Sequence, residues 1–228
     1  MNSLSRYLLA WMLVVLLGVV VSPAFASGRT FVLDPHHTQV RVSWNHLGFS
    51  HPSAFMRIGK GMLVWDGEHP SRSSVRVTIP MSSIHTQVSA LDARLRSHVF
   101  EAGKYPVATF RSTNVERVGQ MDVYRIQGVL TLHGIVRPIS LTATVNRYGI
   151  NPVLKAPAIG FNAVATIKRS AFGLNAGLPL VGDKVRVHIT AEAIPPEALA
   201  RRTRAIKARI AGAGPDRPGM TGMVAASR

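Results

Sequence analysis

The stretch MDVYRIQGVLTLHGIVRPISLTATVNRY, residues 121–148, decides the fold. Ile126, Gly128, Leu130 and Leu132 fall on one side of it, and Arg125, Gln127, Thr131 and His133 on the other. After a short link at Gly134-Ile135 the pattern resumes with Ile139, Leu141, Ala143 and Val145. A period of two is that of a pleated strand with one buried face. Two such runs joined by so short a link predict an antiparallel hairpin.

The same period extends in both directions. Val40, Val42 and Trp44 alternate with Arg41 and Ser43, Val75, Val77, Ile79 and Met81 with Arg76, Thr78 and Pro80. Near the far end Val185, Val187, Ile189 and Ala191 alternate with Arg186, His188 and Thr190. Eight strands are predicted, near 30–44, 55–66, 72–81, 106–118, 121–133, 136–148, 157–168 and 183–194. Residues 45–53 and 84–104 break the alternation, and Val88, Leu91 and Leu95 in the second break have helical spacing. Eight antiparallel strands of this length can close into an all-β barrel, which removes exposed edges and can hold one small ligand. A two-sheet sandwich satisfies the same pattern.

The flanks differ in kind. Residues 1–26 have a basic start at Arg6, an uncharged and largely apolar run from Leu8 to Val21, and Ala24-Phe25-Ala26 as a cleavage site. These are the three parts of a secretory signal. The apolar run falls short of the roughly 18–20 residues that span a bilayer. The chain then divides into a signal peptide (1–26), a barrel domain (27–194) and a basic tail (195–228), with the mature protein periplasmic or secreted. Pro195-Pro196 ends the last strand, and Glu197 to Ile210 reads as a helix with Leu199, Thr203, Ile206 and Ile210 as a thin apolar stripe. Prolines and glycines after Gly212 predict a disordered end.

Composition narrows the chemistry. With no cysteine among 228 residues, disulfides, thiolate metal sites and a cysteine nucleophile are excluded. A formal charge of +16 suggests nucleic acid at first. Export argues against it, and no aromatic residues interleave with the basic clusters as base-stacking platforms would. The tail carries 7 basic and 2 acidic residues, a density that suits an anionic membrane surface. Nine histidines form no His-Glu-x-x-His and no helical i, i+4 pair, and His36 and His37 point to opposite faces of a strand. There is no Gly-x-Ser-x-Gly elbow either. No catalytic or metal-binding residues are assigned, and the chain is read as a binder, not an enzyme. Arg169 and Asp183 stand near facing strand ends, where they could pair.

Six ordered blocks carry a resemblance. They are Asp34-Pro35-His36-His37-Thr38-Gln39-Val40, Asn45-His46-Leu47-Gly48-Phe49-Ser50, Ser83-Ile84-His85-Thr86 with Leu95-Arg96-Ser97 and Phe100, Tyr105-Pro106 through Phe110-Arg111-Ser112-Thr113, Gly128-Val129-Leu130-Thr131-Leu132-His133-Gly134, and Arg169-Ser170-Ala171-Phe172-Gly173. Together they resemble the YceI family of exported, lipocalin-like, polyisoprenoid-binding proteins over residues 31–194. The chain departs from the family pattern at Ser53-Ala54-Phe55, at Asp92-Ala93-Arg94 and at Ala171.

The resemblance implies an eight-stranded lipocalin-like barrel with one or two short helices. It also implies a polyisoprenoid or quinone-like lipid as ligand, with no other cofactor, and allows a homodimer. The inward sets supply the candidate lining: Val42, Trp44, Val77, Ile79, Phe110, Ile126, Leu130, Leu141, Val145, Phe161, Ile167, Val187 and Ile189. Periodicity alone favours a solid core; the resemblance implies a cavity instead. The alternative function is an envelope interaction protein that binds anionic lipid through its basic face and tail, with the barrel as scaffold.

Overall fold

Alternating β-branched and aromatic residues favour a pleated, half-buried surface, and ten strand segments form where they occur. The computed structural model describes residues 28–211. The segments are β1 (Arg29–Leu33), β2 (Gln39–His46), β3 (Ser53–Arg57), β4 (Lys60–Trp65), β5 (Ser74–Pro80), β6 (Val107–Arg117), β7 (Val123–Leu132), β8 (Ile135–Asn151), β9 (Ala156–Lys168) and β10 (Val181–Ile194). Helix α1 (Ser89–Arg94) runs on into a π-helical turn over Leu95–Val99, and α2 spans Pro196–Ala211. The segments read as signal peptide and disordered end lie outside the described residues.

Ten segments make eight staves. β10 pairs with β2 along Val181–Thr190 and with β1 at Ala193 and Ile194, so β1 and β2 are halves of one stave. β3 pairs with β2 and β4 with β1, which makes β3 and β4 the next stave. From β4 the pairing runs through β5, β6, β7, β8 and β9 to β10, every pair antiparallel, and the sheet closes. The closed barrel, not the sandwich, is the fold.

Two expected strands are therefore broken. Residues 34–38 turn out of the first because Asp34 folds back on its own loop: Oδ1 accepts the His36 N–H at 3.0 Å and Oδ2 meets His37 Nδ1 at 2.6 Å. The second breaks at Ile58-Gly59. The tight hairpin is His133-Gly134, one residue earlier than expected, since Leu132 pairs with Ile135. His133 and Gly134 both have positive φ (53° and 71°), which a two-residue turn matched to strand twist requires.

The interior has two tiers. Phe31, Leu63, Ile159 and Ala193 form a solid floor, with Trp65 and Tyr124 packed edge-to-face at 5.1 Å. At the other end the connections 47–52, 81–106, 133–134 and 169–180 gather, and α1 lies among them. Helix α2 leaves β10 from the floor end and packs Ala198 against Ile194 and Ala156. Its contact face includes Ala198, Arg202 and Ile206, whereas Thr203 and Ile210 of the expected stripe are exposed.

A candidate lipid-binding cavity

Above the floor the barrel encloses a cavity of about 620 Å³. Its wall is built by strand parity. Val42 and Trp44 come from β2, Val77 and Ile79 from β5, Phe110 from β6, Leu130 from β7, Leu141 from β8, Ile167 from β9, and Val187 and Ile189 from β10. These ten candidates the barrel brings together. Most are only half-buried, because they face the cavity rather than packed neighbours.

Three candidates lie elsewhere. Val145 and Phe161 pair across β8 and β9 and pack into the floor cluster, and Ile126 stands opposite Val115 and Leu141 without lining the cavity. Parity identifies an inward residue but not its height along the barrel axis, and these three point inward below the cavity.

One glycine shapes the wall. A Cβ on Gly128 would stand 2.4 Å from Cζ of Phe110 and 2.6 Å from the Arg111 carbonyl oxygen. Only a hydrogen there lets the Phe110 ring approach β7 this closely.

Lining residues outside the regular strands carry a weaker signal. Leu91, Leu95 and Val99 come from α1 and its π-turn, and Ala54, Met56 and Ile58 from β3 and the bend after it. The helical stripe is Leu91–Leu95–Val99, and Val88, expected to share it, is 55% exposed. The spacing of 91, 95 and 99 was there to be read, but β3 is too short for its period to show.

Hydrogen bonds shape the loops of the mouth. Asn45 Oδ1 accepts the Gly48 N–H at 2.8 Å, and the Leu47 N–H donates to the Leu180 carbonyl at 3.1 Å, which ties two mouth loops together. Phe49 at the tip is 93% exposed. Asp92 organises α1: Thr86 Oγ1 donates to its Oδ1 at 2.6 Å and His85 Nδ1 meets Oδ2 at 2.9 Å. The Thr86 hydroxyl is the main reason the Asp92 carboxyl titrates below its usual range; burial opposes this and His85 reinforces it. His133 is held by Glu101 at 2.6 Å and by the Phe172 carbonyl.

Arg169 and Asp183 form no direct ion pair among the described residues. Arg169 donates instead to the carbonyls of Gly182, Leu174 and Val181, while Asp183 accepts from Ser170 N and Oγ at 2.9 Å each. Burial pushes the Arg169 guanidinium down, opposed by the Asp183 charge, yet a guanidinium stays protonated in a protein.

Near the floor Asp34, His37 and Glu192 approach closely enough to share a cation. The Arg202 guanidinium from α2 already bonds Asp34 Oδ2, and Glu192 accepts from Asn151 at 3.0 Å. The lining's own polar side chains, Thr38, His46, Arg94 and Arg169, hold no nucleophile beside a base. Thr38 and His46 stand at opposite ends of one stave, roughly 25 Å apart.

Comparison with known proteins agrees with this geometry. The family model described as a YceI-like domain matches residues 31–193. A UPF0312 protein of Pectobacterium atrosepticum is 33% identical over 172 residues, covering 75% of this chain and 88% of the relative. Protein YceI of Salmonella arizonae is 32% identical over 162 residues, covering 71% and 83%. Among solved structures, Burkholderia cenocepacia BcnA superposes with a TM-score of 0.63 at 22% identity, covering 70% of this chain and 98% of that one. A polyisoprenoid binding domain from Saccharophagus degradans gives 0.59 at 19% identity, covering 73% and 98%. With the closed barrel, the ordered motifs and a family match over nearly all of the strand region in agreement, the chain belongs to the YceI family.

Proposed function

We propose that this protein is an exported binder or carrier of a long isoprenoid-type lipid, a polyisoprenoid or quinone-like molecule, held in the barrel cavity. The observation that carries the reading is the cavity itself: about 620 Å³, walled mainly by Val, Ile, Leu, Phe and Trp side chains. That volume lies within the range of roughly 300–1,000 Å³ common for small-molecule sites. Each CH₂ removed from water into such a wall contributes roughly 0.8 kcal/mol, so a long apolar chain needs few polar contacts. The Saccharophagus degradans relative, described as a polyisoprenoid binding domain, shares the fold and supports the ligand class. The reading assigns binding without chemistry and no cofactor beyond the lipid. Export rests on the signal-like residues 1–26.

Trp44 provides the test, since it lines the cavity whereas Trp65 lies in the floor. Titration with an isoprenoid quinone should quench tryptophan emission saturably, and Trp44→Phe should remove most of that quench while leaving binding intact. Absence of saturable quenching at any quinone concentration below its solubility limit would count against the proposal.

A second reading concerns the surface. Arg201, Arg204, Lys207 and Arg209 on α2 are exposed, which supports contact of the tail with anionic lipid.

A further inference from the structure

The cavity wall is electrically lopsided. Its lining contains Arg94, Arg169 and His46 and no Asp or Glu among the described residues. Arg169 is buried and its guanidinium is saturated by the carbonyls of Gly182, Leu174 and Val181, so it is a fixed charge rather than a free donor. The carboxylate whose charge it feels, Asp183, is held by Ser170 and does not line the cavity. Arg94 is different. It closes α1 at the mouth, it is exposed, and its guanidinium makes no hydrogen bond or ion pair with any described residue. Its neighbour Arg96 is committed to the Ile84 carbonyl at 2.9 Å, and Asp92, two residues back, is committed to Thr86 and His85. The free guanidinium thus stands where the polar end of a lipid would emerge if its chain filled the apolar interior.

We infer that Arg94 is a specificity residue that selects lipids whose polar end is an anion, a carboxylate or a phosphate, over neutral lipids of the same chain. This rests on the lipid-binding reading above and names the head-group class that reading leaves open. The chemistry favours it on two grounds. A guanidinium offers several N–H donors in a planar fork that matches carboxylate and phosphate oxygens, and such charge-assisted bonds are roughly twice as strong as neutral ones. Low-dielectric walls that carry one sign of charge focus the field at the cavity entrance, with the buried Arg169 adding to it. A neutral alcohol or quinone gains little from either effect.

Three ligands with one C15 chain separate the cases: farnesol, farnesoic acid and farnesyl phosphate. Each is titrated against the protein preloaded with the neutral fluorophore N-phenyl-1-naphthylamine. In the wild type the acid, the phosphate or both should displace the probe at about tenfold lower concentration than farnesol. A gain for both assigns any anionic head group, and a gain for the phosphate alone assigns isoprenyl phosphates. Arg94→Gln should bring the anions to within about twofold of farnesol, Arg94→Lys should keep part of the gap, and the affinity for the neutral probe should not change in either variant. Probe affinity also reports that each variant is folded. Farnesol binding as tightly as both anions in the wild type, or an anion preference that survives Arg94→Gln, would overturn the inference while leaving lipid binding intact. Failure of all three ligands to displace the probe would instead strike the lipid-binding reading itself.

Discussion

The guanidinium of Arg202 on α2 donates to Oδ2 of Asp34, a fully buried carboxylate in the break between β1 and β2. This contact joins positions 168 apart in the sequence and fastens the tail helix to the barrel. Asp34 also holds His36 and His37, so one carboxylate shapes the break and anchors the tail. Removing the cation leaves a buried charge with fewer partners. Arg202→Ala should cost roughly 2–3 kcal/mol of stability, measured as a lower urea midpoint. A loss below about 0.5 kcal/mol would mean the contact is merely superficial.

Acid should destabilise the protein through a small set of carboxylates. Burial alone would raise Asp34, but the His37 ring, the His36 N–H and the Arg202 charge bring it below 3.8. Asp92 is also held below 3.8, chiefly by the Thr86 hydroxyl. A depressed carboxylate contributes stability that is present above its unfolded value and lost as pH falls through its folded value. The urea midpoint should therefore hold down to about pH 4 and fall below it. Asp34→Asn should start lower and fall less steeply; an identical slope in that variant would remove Asp34 from the explanation.

Gly128→Ala should disturb the cavity from outside the ligand contacts. The added methyl must displace Phe110 or push β7 from β6, because it meets both the ring and the Arg111 carbonyl. Overpacking of this kind costs roughly 1–3 kcal/mol. The thermal midpoint should drop and affinity for an apolar probe should change, whereas an unaffected variant would show that the ring moves freely.

The tail reading makes its own prediction. Replacing Arg201, Arg204, Lys207 and Arg209 together by Gln should weaken binding to vesicles containing phosphatidylglycerol, and wild-type binding should fall as salt rises. These side chains are exposed, so the variant should unfold with the wild-type midpoint. Binding that ignores both salt and the four substitutions would refute the tail's part in it.

Much of the barrel was legible because its signal is local. Alternation in β5 to β10 reports burial on one face, and ten inward residues chosen by parity alone line the cavity. What parity could not supply is depth. Val145 and Phe161 have the same period as their neighbours, but closure sets them in the floor. The breaks at 34–38 and 58–59 shift the inward parity, from Phe31 and Leu33 to Val40 and from Ala54 and Ile58 to Leu63, and one long strand drawn through each passes over that shift; at the first, side-chain bonds of Asp34 bend the chain. The facing of α2 was misread for a related reason. A residue counted as polar, Arg202, turns inward to meet a buried carboxylate, a long-range pairing that helical spacing cannot reveal.

Lipid occupancy is the central claim, and native mass spectrometry reads it directly. Protein purified without added lipid, then incubated with isoprenoid quinone, should show a one-to-one adduct whose released mass is that of the lipid. A doubly substituted barrel carrying Leu130→Arg and Val187→Arg, two charges placed in the cavity wall, should show none. Wild-type protein that is consistently empty and takes up no quinone would contradict the account.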